Sequence, residues 1–362
     1  MRQLTIAISG LIMTLFFASC IKQVDVDTRN VKPILVVEGS ISTDTVPYTV
    51  KLTYSGKLSS ATDIPDESLE KDAVVTITDD LGNGTLLTYM GAGNYQTTDS
   101  NYIGQVGRSY HVNVKLTDGK TFISIPEKIG SPVPVANINV SFASHFSIYY
   151  PSRLNISIDV QDPPDQENYY KWDFYSWILR QTHGIPCGFG CLMYEYCYQK
   201  HIDKEVRLLS DNSINGNKIL NQEVGYSYIY TFGDHFIDIS QTSLTREAYQ
   251  FWQRYNEQLT RTGSILDPLP ASIRGNVYNE TDPDDFALGY FFASSITHRR
   301  AVLVPYSITQ YWLGQSAAQF IPPGSYACFD FFPDALFYPP PPAKQYPAPA
   351  GWENAEKIRV YW

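Results

Sequence analysis

The stretch "YTVKLTYSG", beginning at Tyr48, alternates side chains with a period of two. Alternation of this kind puts one set of side chains on a buried face and the other toward water, which fits a half-buried strand and not a helix. The pattern recurs. "ILVVEGSIS" reads as a strand with a glycine break, and "AVVTITDDLGNGTLLTY" as two short strands around a Gly/Asn turn. "GRSYHVNVKLTDGKTFISI" reads as a hairpin turning at Asp118-Gly119. Short strands at regular spacing with turn residues between them predict a mainly β chain, beginning with an immunoglobulin-like β-sandwich over residues 33–130.

"PEKIGSPVPVANI" carries several prolines among small residues and reads as a stiff linker or an edge crossover. Beyond it, residues 131–362 are expected to form a larger β-rich domain. It contains one prominent amphipathic helix, "SLTREAYQFWQRYNEQLTRTG". Ser243 and Thr245 lie at its cap and Glu247 in its first turn. Ala248, Phe251, Trp252, Tyr255 and Leu259 keep three- and four-residue spacing, and Gly263 closes the segment. That stripe is expected to pack on a sheet. "DDFALGYFFASSITHRRAVLVPY" reads as two strands joined by a polar turn around Thr297-His298, and "YPPPPAKQYPAPAGW" as a polyproline segment.

The first twenty residues carry a different message. Arg2 is followed by an apolar run over residues 4–17 and then by Ala18, Ser19 and Cys20. This is the layout of a secretory signal, and the run is shorter than the ~20 apolar residues a spanning helix needs. Phe17-Ala-Ser-Cys20 resembles a bacterial lipobox, with Phe17 where leucine is usual. Residues 1–19 are then a lipoprotein signal peptide, Cys20 is the lipidation site, and residues 20–32 are a tether. Several acyl chains on one residue anchor stably without spanning. Asp25 and Asp27 resemble an acidic signal for export to the outer cell surface.

Lys and Arg number 27 against 37 Asp and Glu, a formal charge of −10. With no basic run, this argues against binding to a phosphate backbone. Setting Cys20 aside, Cys187, Cys191, Cys197 and Cys328 remain, an even number in an exported chain. They allow three connectivities, of which Cys187–Cys191 with Cys197–Cys328 is favoured. A zinc site built from His183, Cys187, Cys191, Cys197 and His201 lacks the close cysteine pair of a knuckle. Asp282, Asp284 and Asp285 lack the ligand ladder of a calcium loop and read as a solvated turn. The sequence has no Gly-x-Ser-x-Gly elbow, His-Glu-x-x-His helix or phosphate-binding Gly-x4-Gly-Lys-Ser/Thr loop. No metal, cofactor or catalytic residue is therefore expected.

Several of these pieces, in this order, resemble a group of Bacteroidota outer-membrane lipoproteins known as domain of unknown function 4249. The matching stretches are Val36-Val-Glu-Gly39, Ala73-Val-Val-Thr-Ile77, Gly93-Asn-Tyr95 and "REAYQFWQRYNEQL". Gly275-Asn276-Val277 and Leu288-Gly-Tyr-Phe-Phe-Ala-Ser294 complete the set. Near its end the family pattern carries Cys-x-x-Cys ahead of Pro-x-x-Trp. Here Cys328 is present, Phe331 takes the second position, and Trp352 closes a Pro-Ala-Gly-Trp segment. The resemblance implies a non-catalytic, lipid-anchored, cell-surface partner of a TonB-dependent transporter, for nutrient capture or as a lid. The alternatives are a structural or adhesive surface module and a hydrolase with an unrecognised site.

Overall fold

The computed structural model describes residues 33–55, 66–144, 152–164, 166–181, 185–186, 192–193, 196–228, 235–260, 273–282, 284–305, 336–337 and 355–360. The first eight strands are β1 (Leu35–Ser42), β2 (Thr49–Tyr54), β3 (Val74–Asp79), β4 (Gly84–Gly91), β5 (Asn94–Thr97), β6 (Ser109–Lys115), β7 (Thr121–Ser124) and β8 (Glu127–Lys128). The next eight are β9 (Val135–Ser144), β10 (Ser152–Gln161), β11 (Tyr169–Gln181), β12 (Ile185–Pro186), β13 (Leu192–Met193), β14 (Tyr196–Ile202), β15 (Arg207–Ser210) and β16 (Lys218–Tyr228). β17 (His235–Leu244) leads into the helix α1 (Arg246–Leu259), which is followed by β18 (Arg274–Asn279), β19 (Phe286–Pro305), β20 (Leu336–Phe337) and β21 (Glu356–Val360). The chain is mainly β, as the alternation predicts.

Nine strands close on themselves in the order β1-β2-β5-β4-β3-β6-β7-β18-β19, and β19 returns to pair with β1. That last pairing is parallel, running from Val36 opposite Leu288 to Ser42 opposite Ser294. Closure gives a barrel-like sheet and removes the free edges that an open sheet would expose. Its interior is filled by alternate residues, among them Val37, Val50, Leu52, Val75, Ile77, Val112, Val114 and Phe291, all fully buried. The expected turn at Asp118-Gly119 joins β6 to β7, and Asp118 Oδ1 accepts the Lys120 N–H at 3.0 Å.

Two strands of this ring come from far along the chain. β18 pairs with β7, and β19 pairs with both β18 and β1. Residues 273–294 therefore complete the sheet that begins at residue 35.

β19 also corrects the expectation of two strands with a turn at Thr297-His298. It is one strand of 20 residues. Its first half lies in the ring, and its second half, Ser295 to Leu303, pairs antiparallel with β17. From there the sheet runs through β11 to β14 and β20. The polar residues do not turn out because the fold pairs them. Thr297 Oγ1 donates to the Val133 carbonyl at 3.0 Å, and His298 is held on both ring nitrogens by carboxylates.

Against this second region lies a separate three-stranded sheet, β16-β10-β9. Leu154, Ile156 and Ile158 of β10 meet Trp172 and Phe174 of β11 and Ile237 and Ile239 of β17 in a second core. Trp172 is fully buried, and its Nε1 donates to Gln241 Oε1 at 2.9 Å. Gln241 in turn donates from Nε2 to the Val133 carbonyl at 2.6 Å. The indole N–H and the amide thus satisfy each other inside an apolar layer, as buried polar groups require.

Candidate interaction face

The helix expected over "REAYQFWQRYNEQL" forms there. Its N-cap is Thr245, in extended conformation, whose Oγ1 accepts the Ala248 N–H at 3.2 Å. The same hydroxyl donates to Glu127 Oε2 at 2.5 Å. Glu127 comes from β8, is buried, and accepts a second hydrogen bond from the Tyr290 hydroxyl of β19. Burial pushes the Glu127 carboxyl up, and the hydrogen bonds from Thr245 and Tyr290 oppose that shift. One carboxylate thus ties the helix N-terminus to the ring.

Above this link lies a cluster of rings. Tyr290 and Phe292 point outward from β19, two residues apart and flanking the inward Phe291. Their centroids are 4.6 Å apart at an interplanar angle of 30°. Phe251 of α1 sits 4.9 Å from Tyr290, and Trp252 stacks on Phe292 at 5.6 Å and 20°. Lys171 Nζ lies 4.8 Å from the Trp252 ring and pairs with Asp173. Offset stacking and cation–π contact hold these rings in place beyond what area burial supplies.

The expected packing of the whole stripe is corrected in one respect. Ala248 is buried, and Phe251 and Trp252 are half-buried, but Tyr255 is 39% exposed and Leu259 56% exposed. The first two turns meet Tyr290 and Phe292, whereas Tyr255 in the third turn makes an edge contact with Trp252 at 5.5 Å. An aromatic face with a solvent rim results.

A second polar constellation joins the ring to the neighbouring sheet. His298 Nδ1 lies 3.0 Å from Asp238 Oδ1, and its Nε2 lies 3.0 Å from Asp44 Oδ2. Arg300 Nε donates to Asp238 Oδ2 at 3.0 Å. The hydrogen bond to Asp238 is the largest of several effects that raise the imidazole from 6.5 to about 9. Burial, the largest single effect, raises the Asp44 carboxyl, but the His298 hydrogen bond, the Thr45 N–H and the charges of His298 and Arg300 together outweigh it and hold that group below its ordinary range. Because the folded state binds the His298 proton more tightly than the unfolded chain, this ion pair contributes its full stability below pH 6.5. That contribution fades as the pH rises through about 9. Between these limits the stability difference between wild type and His298→Gln should shrink steadily, as read by denaturant midpoints at each pH. A constant difference across the window overturns the assignment.

A cleft of about 380 Å³ opens at one end of the ring, lined by Leu35, Tyr54, Leu116, Phe122 and Phe286 together with Asp118, Lys120 and Asp285. Lys120 pairs with Asp285, which also accepts from Asn279 Nδ2 at 3.1 Å. The Asp284 N–H donates to Asp282 Oδ1 at 3.2 Å, so these acids shape a turn as expected. Among the described residues no group of three or more His, Cys, Asp or Glu side chains could hold a metal ion.

Cys20, Asp25, Asp27, Cys187, Cys191, Cys328 and His183 lie outside the described residues. Cys197 is described as backbone only, in β14 opposite Arg180 and Phe337. The disulfide pairings therefore fall outside the description. His201 is described, and its ring meets Tyr226 and Tyr228. The polyproline segment at residues 338–352 also lies outside. The Glu127 link was missed in the sequence, since one Glu in "SIPEKIG" carries no local sign that it will be buried.

The fold and this face define a mainly β protein with a nine-stranded barrel-like sheet and a single aromatic helix among its described residues. The family model for Domain of unknown function (DUF4249) matches residues 21–300, and the chain belongs to that family. No curated protein matches the chain.

Proposed function

We propose that this chain is a lipoprotein anchored at the cell-surface face of the outer membrane. There it serves without catalysis as a binding or accessory partner of a TonB-dependent transporter. The observation that carries this reading is the aromatic face of Phe251, Trp252, Tyr255 and Phe292, held rigid from below by Glu127. Half-exposed aromatic side chains on a fixed support are what protein interfaces are enriched in. The lipobox-like Cys20 supplies the other half of the reading. Acyl anchoring confines the protein to the membrane plane and raises its effective concentration beside an integral partner. The Bacteroidota context comes from the sequence resemblance alone.

The immunoglobulin-like reading of residues 33–130 belongs to the same proposal. Its support is a run of short antiparallel strands from β1 to β8, read as two layers of a flattened ring. A round, open cross-section for that ring in an experimental structure counts against it.

Purification of the full lipidated chain in mild detergent should recover a large β-barrel protein. Tyr255 is exposed, so Tyr255→Ala should change stability by no more than about 0.5 kcal/mol while lowering recovery of the barrel severalfold. Cys20→Ala should release the chain from the membrane fraction, and proteolysis of intact cells should degrade the wild type. Recovery of a clean monomer, with Tyr255→Ala behaving as wild type, overturns the partner assignment.

A further inference from the structure

The outward face of the β9–β10–β16 sheet has no role in the reading above. On β10 it shows Arg153, Asn155, Ser157 and Asp159, which alternate with the buried Leu154, Ile156 and Ile158. Asn155 lies between Ser141 of β9 and Tyr226 of β16. Ser157 lies between Asn139 and Glu223. Asp159 accepts from Asn137 Nδ2 at 3.2 Å, Asn139 Nδ2 at 2.9 Å and the Asn221 N–H at 2.9 Å. These bonds fix the asparagine amides against the sheet and hold the Asp159 carboxyl below its ordinary range, the Asn221 N–H contributing most.

One border of the face is aromatic. Tyr226 and Tyr228 have centroids 5.0 Å apart, and His201 reaches them from β14 at 5.4 and 5.6 Å. The Arg153 guanidinium lies 4.9 Å from the Tyr226 centroid and makes no hydrogen bond or salt bridge among the described residues. Two polar atoms beside these rings, Asn155 Oδ1 and His201 Nδ1, are buried with no hydrogen-bond partner among the described residues. Native proteins rarely leave such atoms unpaired. Here both occur along one strip, next to the Arg153 guanidinium and an ordered row of amides.

We infer that this face binds a neutral, hydroxyl-rich carbohydrate chain. Sugar hydroxyls donate and accept at once, which suits a surface that mixes amide, guanidinium, hydroxyl and carboxylate groups. The apolar C–H face of a pyranose suits the Tyr226–Tyr228 border. Asp159 and Glu223 balance Arg153 and Lys218, which lies opposite Gln161 and acts on Asp159 by its charge, so the face carries no excess of positive charge to draw nucleic acids or acidic polymers. The face lacks the buried apolar centre of a protein–protein contact. This inference is independent of the transporter reading.

The test is affinity electrophoresis of the full chain in native gels containing dextran, laminarin, mannan or arabinoxylan, with polygalacturonate as the acidic control. At least one neutral polymer should retard migration. Tyr226→Ala and Asn155→Ala should each weaken that retardation at least about tenfold, the loss of one or two polar or ring contacts. Leu81→Ser, on an exposed hairpin, should leave it unchanged. Should either core-edge variant fail to fold, Ser141→Trp blocks the face from an exposed position and should abolish retardation with an unchanged melting temperature. No retardation in any neutral polymer overturns the inference. So does retardation by polygalacturonate alone, or retardation that survives Ser141→Trp.

Discussion

Gly275→Ala should lower the stability of the ring by about 3–5 kcal/mol, among the largest effects a single methyl group produces. A Cβ at this position would lie 1.4 Å from the Gly289 carbonyl oxygen, well inside contact distance. That oxygen belongs to backbone, so no side-chain rotation relieves the overlap. β18 and β19 would have to separate where their register already shifts, between Arg274 and Tyr278. Gly289 is itself a constrained position, with φ +83° and a would-be Cβ 2.2 Å from the Val37 carbonyl oxygen. The three strands β18, β19 and β1 therefore approach through two glycines, and their approach closes the ring. Gly130→Ala is the control, since nothing lies within 4 Å of its would-be Cβ. Urea midpoints for the two variants should differ strongly. If Gly275→Ala unfolds alongside Gly130→Ala, closure does not depend on this contact.

Asn276→Ala should cost about 2–5 kcal/mol, because it strips partners from two buried backbone groups at once. The Asn276 side chain accepts the Phe291 N–H on Oδ1 at 2.9 Å and donates from Nδ2 to the Phe291 carbonyl at 2.9 Å. It stands in for a backbone rung where the irregularity between β18 and β19 interrupts the ladder. Asn276 is 5% exposed and Phe291 fully buried, so water does not readily replace what is lost. Hydrogen exchange gives the sharper readout. The Phe291 amide should lose protection in the variant far more than the Val37 amide of β1. Equal loss at both positions would indicate general destabilisation and sink the local account. Asn276→Asp should not rescue, because a carboxylate cannot donate to the Phe291 carbonyl.

Much of the helix was legible in its own residues. Thr245 and Ala248 are three apart, and the cap bond needs no more than that spacing. The hairpin at Asp118-Gly119 was legible for the same reason. The Glu127–Tyr290 hydrogen bond joins residues 163 apart in sequence, so no window of sequence contains both partners. The carbohydrate face escaped for a related reason. Asn139, Asn155 and Tyr226 read singly as ordinary solvent-side strand residues until β9, β10 and β16 are laid side by side.

β19 marks the division most clearly. The sequence by itself determined that the chain would be mainly β, that one hairpin would turn at Asp118-Gly119, and which segment would wind into a helix. Each of these depends on side-chain periodicity and turn chemistry within a few residues. Only the tertiary structure decided that residues 286–305 run as a single strand through two sheets and that β1 pairs with β19 to shut the ring. A polar pair such as Thr297-His298 reads locally as a turn because its groups need partners. Once Val133, Asp238 and Asp44 supply those partners from distant parts of the chain, the strand continues without a break.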